Sequence, residues 1–341
     1  MLTTRQELIL NLIVDDYIDV ATPIASESLA RGHRLGVSPA TIRSDVAALE
    51  GHGYISRPHA SAGSIPEDKA YRRYVESVLA DDTDDIPSPA RQAVSRQLTD
   101  VEHDVDAWGN VAAALLASLA GNMGFATFPK SRESRVRHLE LVPVQDAMAM
   151  LIVVLSQARL RKQLVRMDNP IETSQLEMIS QRLRSEIIGL TRREIEAKLM
   201  RLSPIEKSLV EATVVVLRDE DLVSRDENYV DGLRNLVSQP EFVDHEKVRA
   251  IVQGVEDGSL VQAILAEEQD GGVIQVIIGH EHAGDVLRPL SVVICKYGIP
   301  GEVDGAVGAV GPTRMAYSRA ISGVKFVASV MNRLVERVYV S

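Results

Sequence analysis

The 341-residue chain has a single cysteine, Cys295. An intramolecular disulfide is therefore excluded, and so is a zinc site built on several cysteines of one chain. Cys295 sits in the run Ser291-Val-Val-Ile-Cys-Lys-Tyr297, which reads as a strand, so the thiol is expected to be a small core group rather than a nucleophile. No apolar run approaches the roughly 20 residues a membrane span needs. The N-terminus also lacks a basic-then-apolar leader pattern, and a cytoplasmic protein with no membrane contact is expected. Enzyme signatures are missing too. Gly305-Ala-Val-Gly308-Ala-Val-Gly311 has neither the Lys-Ser/Thr of a P-loop nor dinucleotide-binding spacing, and reads as a strand with close backbone approach. There is no G-x-S-x-G elbow, and His280-Glu-His282 lacks a third ligand at a familiar spacing, so it reads as a polar turn. The expectation is no cofactor, no metal and no enzymatic activity.

Positive charge is scarce as well: the formal net charge is −11. Residues 1–79 hold eight Lys/Arg against ten Asp/Glu, a balance of −2 that leaves −9 for the remainder. Placement matters more than the sum. Residues 31–59 carry Arg31, Arg34, Arg43 and Arg57 with His33, His52 and His59, against only Asp45 and Glu50. A local positive potential on an acidic body is compatible with modest non-specific affinity for a polyanion.

That stretch also carries the clearest pattern. Ser38 can cap a helix whose first position is Pro39. Ile42, Val46 and Leu49 then share one face, while Ala40, Ser44, Ala47 and Ala48 share the other, flanked by Thr41 and Arg43. Gly51 and Gly53 stop the helix, Tyr54–Arg57 reads as a strand, and His59–Gly63 as the tip of a hairpin returning through Ser64–Pro66. Upstream, Thr3 and Gln6 fit a capping box opening a helix whose buried stripe is Leu8, Ile9, Leu12, Ile13 and Tyr17. Ser26 is a candidate cap for a short helix holding Leu29. Three helices and a hairpin describe a winged helix-turn-helix.

The run from Arg5-Gln6 through Tyr17-Ile18 and Pro23-Ile24, then SPATIRSDVAALEGHGYISRPHASAGSIPEDKAYRRYV, resembles the N-terminal domain of HrcA, the bacterial heat-shock repressor family. NYVDGLRNL (228–236) and KYGIPGEVDGAVGAVGPTRMAYSRAI (296–321) resemble its C-terminal part, in order. Two wing positions depart from the family pattern: Ala60 where threonine is usual, and Ser64 where arginine is usual. The resemblance implies an α+β chain with a winged helix, a GAF-like sheet domain and an inserted dimerisation segment. It also implies a CIRCE operator upstream of chaperone operons and a GroEL chaperonin that promotes the active repressor.

The rest of the chain fits that frame. Residues 1–79 form the expected winged-helix domain. Ala80–Pro89, with four aspartates and two prolines, marks a linker over 80–90. Val94, Leu98, Val101, Val105, Trp108, Ala112, Leu115 and Leu119 form a sustained heptad seam, either a long helix on its own domain or a dimer contact. Strands are expected at 136–142, 147–155 and 160–166, and helices at 173–189, 192–202 and 206–217. Helices near Leu233 and Val248 lead to strands at 272–279, 290–297 and 303–310, and a last helix follows Pro312. This divides the chain into a GAF-like domain, 91–167 and 225–341, and a largely helical inserted segment, 168–224.

The expected function is a dimeric repressor on an inverted-repeat, double-stranded operator. Ser38, Ala40, Thr41, Arg43, Ser44 and Ala47 would lie nearest base edges or adjoining phosphates. Arg43 would either pair bidentately with guanine or clamp a phosphate. Arg57, His59 and Ser61 would contact backbone or minor groove. Two alternatives stand beside it: a regulator with a small molecule in the GAF-like domain, and an enzyme with a nucleic-acid module.

Overall fold

The computed structural model describes residues 2–33, 36–59, 62–81, 86–131, 133–145, 147–155, 159–167, 169–198, 201–223, 228–268, 274–300 and 302–339. The N-terminal third opens with helix α1 (Thr4–Val20), started by the Thr3/Gln6 capping box: Gln6 N donates to Thr3 Oγ1 at 3.3 Å and Thr3 N to Gln6 Oε1 at 3.0 Å. The buried stripe is Ile9, Leu10, Ile13 and Val14, which corrects the expected set. Leu8 is 49% exposed, because α1 packs between two helices and the face that serves both is rotated by about one position. Helix α2 (Ser26–Gly32) is capped by Ala25 without a side-chain bond, not by Ser26. Helix α3 (Pro39–Gly51) begins as expected, with Thr41 N donating to Ser38 Oγ at 3.2 Å. Gly53, at φ +71°, takes the left-handed turn that leads into the hairpin. Strands β1 (Ile55–Ser56) and β2 (Ile65–Pro66) pair antiparallel, Ile55 against Pro66.

Helix α4 (Asp68–Asp81) follows, then α5 (Ser88–Asp100) and α6 (Val105–Ala120). The heptad seam is therefore not one helix. Asp104 accepts from Ala107 N at 3.2 Å and starts a new helix, and Trp108 turns back so that its Nε1 donates to Val101 O at 3.0 Å. Val94, Leu98, Trp108, Ala112 and Leu115 are all buried in the chain's own core, so the seam's apolar side is used within the molecule.

Strands β3 (Met123–Thr127) and β4 (Lys130–Ser131) come next, then β5 (Val136–Gln145), β6 (Met148–Leu155) and β7 (Leu160–Arg166). Helices α7 (Thr173–Ile187), α8 (Arg192–Ala197) and α9 (Pro204–Val223) lead to β8 (Asn228–Asp231), α10 (Leu233–Val237), α11 (His245–Glu256) and α12 (Ser259–Ala266). The chain ends with β9 (Gln275–Ile278), β10 (Leu290–Ile299), β11 (Val303–Pro312) and α13 (Tyr317–Tyr339).

Two larger sheets result. One has the order β8-β3-β11-β10-β9, all antiparallel, with β4 also pairing β11. The apolar face of α6 and α13 covers one side of it, while Leu236, Ile251, Leu260, Val261 and Ile264 of α10–α12 cover the other against Met123, Phe125, Val292 and Ile294. Its centre needs glycine: a Cβ on Gly308 would lie 2.4 Å from the Phe125 ring and one on Gly305 2.4 Å from the Tyr297 ring.

The second sheet, β5-β6-β7, is separate. Its inner face packs Leu139, Leu151, Val153 and Val165 against Leu176, Leu183, Leu209 and Leu217 of α7 and α9. The strands of 136–166 were expected to join the C-terminal sheet; they instead share a core with α7–α9. Alternating patterns identify strands but do not say which sheet receives them. The fold is α+β.

Candidate nucleic-acid interface

Helix α3 is held by its apolar side: Ile42, Val46 and Leu49 are fully buried against α1 and α2. Of the expected site residues on it, Ser38, Ala40, Arg43, Ser44 and Ala47 are exposed and Thr41 is half-buried. They line one uncovered strip, and its side chains are small enough for the helix axis to approach a surface closely. A B-form major groove is about 12 Å wide and admits such a helix.

Of the two acids on this helix, Asp45 is not on that strip. Asp45 is buried, and Arg5 of α1 donates to its two oxygens at 2.6 and 3.2 Å. This pair, unforeseen from the sequence because its partners are far apart in the chain, clamps α3 to α1. Another acid was missed: Glu27 of α2 pairs with Arg31 at 3.2 Å and with Arg43 at 3.4 Å. Its i,i+4 spacing from Arg31 is a readable signal, but its reach to Arg43 depends on how α2 crosses α3. Arg43 remains 63% exposed. At the other end Arg57 pairs with Glu50 at 3.4 Å. The local positive charge is thus partly met by carboxylates of α2 and α3.

The hairpin packs back on the body. Ile24 N donates to Ser64 O at 2.9 Å and Ser64 N to Ile24 O at 2.8 Å. A Cβ on Gly63 would lie 2.5 Å from the Pro23 backbone, so this position admits only glycine without a shift. Ser64 is 2% exposed and faces inward. Arg57 is half-buried and His59 exposed, on the same hairpin. Ser61, with Ala60 and Arg34, lies outside the described residues. Lys69 of α4 braces the base of the hairpin: its Nζ donates to His52 O at 2.8 Å and stands 4.3 Å from the Tyr54 ring centroid.

Nothing in this strip suits covalent or acid–base chemistry; it offers a convex, weakly polar helix face, one accessible guanidinium and a hairpin beside it. The family model "HrcA protein C terminal domain" matches residues 108–321. A heat-inducible transcription repressor HrcA from Dehalococcoides mccartyi is 38% identical over 339 residues, 99% of this chain and 97% of its own. The chain belongs to the HrcA family. Other HrcA repressors give the same picture: that of Chloroflexus aggregans is 36% identical over 357 residues and that of Thermomicrobium roseum 31% over 333, spanning 94% and 95% of their lengths. A solved structure described as a hypothetical protein at 2.2 Å resolution shares the fold, with a TM-score of 0.64 and 23% identity, covering 100% of this chain and 99% of that one. HrcA relatives are thus named as transcriptional repressors, and among the described residues no helix is long and apolar enough to cross a membrane.

Proposed function

We propose that this chain is a cytoplasmic, homodimeric transcriptional repressor that binds an inverted-repeat operator in double-stranded DNA. The observation that carries this reading is the uncovered strip of α3, with Arg43 at its side and the hairpin next to it. In this reading α3 enters the major groove, with Ser38, Ala40, Thr41, Ser44 and Ala47 nearest the base edges and sugar–phosphate walls. Arg43 reads a guanine or holds a phosphate, and Arg57, His59 and Ser61 set register on the backbone. Family membership supports a CIRCE-type operator upstream of chaperone genes, with the GroEL chaperonin favouring the active repressor and unfolded protein drawing it away during heat stress.

The second sheet supports the dimer. Its outer face has Met148, Met150, Ile152 and Val154 on the central strand, with Val142 and Leu164 beside Met150 and Leu160 beside Val154. Val142, Leu160 and Leu164 are 39%, 49% and 54% exposed. An apolar sheet face rimmed by His138, Glu140, Lys162 and Arg166 suits a self-complementary contact between two copies. We therefore read residues 1–79 as the winged-helix domain and 80–90 as its linker. The C-terminal sheet with α6 and α10–α13 is the GAF-like body, and the inserted dimerisation unit runs from 132 to 224, earlier than the strand pattern alone suggested.

A gel shift of the purified chain tests this, on inverted-repeat promoter DNA and on a scrambled duplex, with and without chaperonin. The reading expects a discrete complex on the repeat alone, strengthened by chaperonin. Equal retardation of both duplexes refutes it.

A further inference from the structure

Among the described residues, polar contacts from two different helices tie the winged helix to the C-terminal body. On α4, Arg72 Nε donates to Glu281 Oε1 at 2.7 Å, and its Nη2 donates to Val276 O at 2.7 Å and to the second Glu281 oxygen. One turn earlier Asp68 accepts from His280 N at 2.8 Å and meets His280 Nδ1 at 2.7 Å. Between them Gly279, at φ +52°, lies so close that a Cβ there would sit 2.2 Å from Asp68 Oδ2. On α1, Arg314 Nη1 donates to Ile18 O at 2.5 Å, one of the carbonyls that a helix C-terminus leaves unpaired. The rest of the Arg314 guanidinium binds Glu241 at 2.6 Å and Gln239 at 3.0 Å, and its side chain is only 11% exposed. Apolar packing runs through the same junction: Tyr71 of α4 lies 5.9 Å from Tyr317 of α13, ring to ring, within one continuous core.

These contacts form a continuous chain from α3 to the body. Arg5 and the buried Asp45 lock α3 to α1, and Arg314 locks α1 to the turn between β11 and α13. Arg72 adds a second anchor on α4, away from that point. We infer that Arg72 and Arg314 are positioning residues that fix the angle of α3 on the C-terminal body and so set the half-site spacing the dimer accepts. This inference rests on the dimeric-repressor reading. Neither residue touches DNA in that reading. Each acts because adding one base pair to a spacer moves the second half-site by about 3.4 Å and turns it by roughly 35°. A rigid pair of α3 helices cannot follow such a change, whereas a loosened pair can.

The test is a set of inverted-repeat duplexes whose spacers differ from the optimum by one or two base pairs, plus a duplex with a single half-site. Wild type should lose about tenfold or more in affinity per added or removed base pair. Arg72→Gln, Arg314→Gln and the wedge variant Gly279→Ala should lose less than about threefold, or shift the preferred spacer, with single half-site binding within about twofold of wild type. Gly279→Ala keeps every arginine, so it carries the result if Arg314→Gln does not fold. Variants that melt like wild type and keep its spacing profile overturn the inference while leaving the repressor reading intact. A wild type that binds no inverted repeat at any spacing overturns that reading, and this inference with it.

Discussion

Replacing Arg43 with alanine separates two things that α3 does. In the free chain the Arg43 guanidinium has one ion pair, to Glu27 at 3.4 Å, with both side chains more than 60% exposed. An exposed pair of this kind contributes about 0.2–1 kcal/mol, and Ile42, Val46 and Leu49 hold the helix from the opposite side. Arg43→Ala should therefore leave the thermal midpoint almost unchanged. Operator binding should fall by about 1–3 kcal/mol, roughly 5- to 150-fold, if the side chain pairs with a base edge. The assay is a titration of operator and scrambled duplexes at fixed ionic strength, repeated over a salt series. Loss on the operator alone assigns Arg43 to a base, while equal loss on both with a salt slope reduced by about one assigns it to a phosphate. A variant that melts like wild type and binds the operator within about twofold of it refutes the placement of α3 in the groove.

Further tests follow from other parts of the chain. Glu27→Gln frees Arg43 and Arg31 from their shared carboxylate and should tighten binding to any duplex by about twofold, since an exposed pair is worth so little. Glu220, 1% exposed, holds Arg159 at 3.0 Å and Arg161 at 2.5 Å; Glu220→Ala removes a buried carboxylate shared by two guanidiniums and should cost about 1.5–3 kcal/mol in urea unfolding. If two copies meet through the outer face of the β5-β6-β7 sheet as proposed, wild type should sediment as a dimer and Ile152→Glu as a monomer, with the helical content intact. Burial pushes the Cys295 thiol up to about 11 from an ordinary value of 9.0. Its contribution is fully present below pH 9 and is lost as pH rises through 11, because the unfolded thiol ionises first. Unfolding free energy should fall over that window, less steeply in Cys295→Ala, and the native thiol should resist a disulfide reagent at pH 8.

Local rules carried much of this fold. Ser38 with Pro39, and Thr3 with Gln6, announce two helix starts because a cap is a three-residue interaction. The strip on α3 follows from its own 3.6-residue repeat. The strands of 136–166 are visible because Leu139, Leu141, Leu151 and Val153 alternate with outward residues. What was not legible depends on partners distant in the chain. Met123–Thr127 lacks alternation since both its faces are covered in the middle of a sheet, so it was missed as a strand. The seam from Val94 to Leu119 keeps its phase across the break at Val101–Asp104, and periodicity alone cannot see that Trp108 folds back. Arg5–Asp45, Glu27–Arg43 and Arg314–Ile18 join elements whose crossing angles no local pattern specifies. The exposure of the expected α3 residues is legible from helical phase; the state of Arg43, already engaged by an acid from the neighbouring helix, is not.

Strands β3 and β8 bracket residues 128–227, β4 included, yet are hydrogen-bonded neighbours, Thr127 standing opposite Asn228. Facing residues in such a ladder lie about 4.5–5.5 Å apart, so the intervening chain leaves and re-enters through a gap that a tight reverse turn can close. A long connection costs the body little at this point, since each doubling of a loop adds only about 0.6 kcal/mol of closure entropy. Splicing Thr127 to Asn228 through a few linking residues should give a shortened protein whose remaining sheet still assembles, separating the β5-β6-β7 sheet and its helices from the body that carries α3.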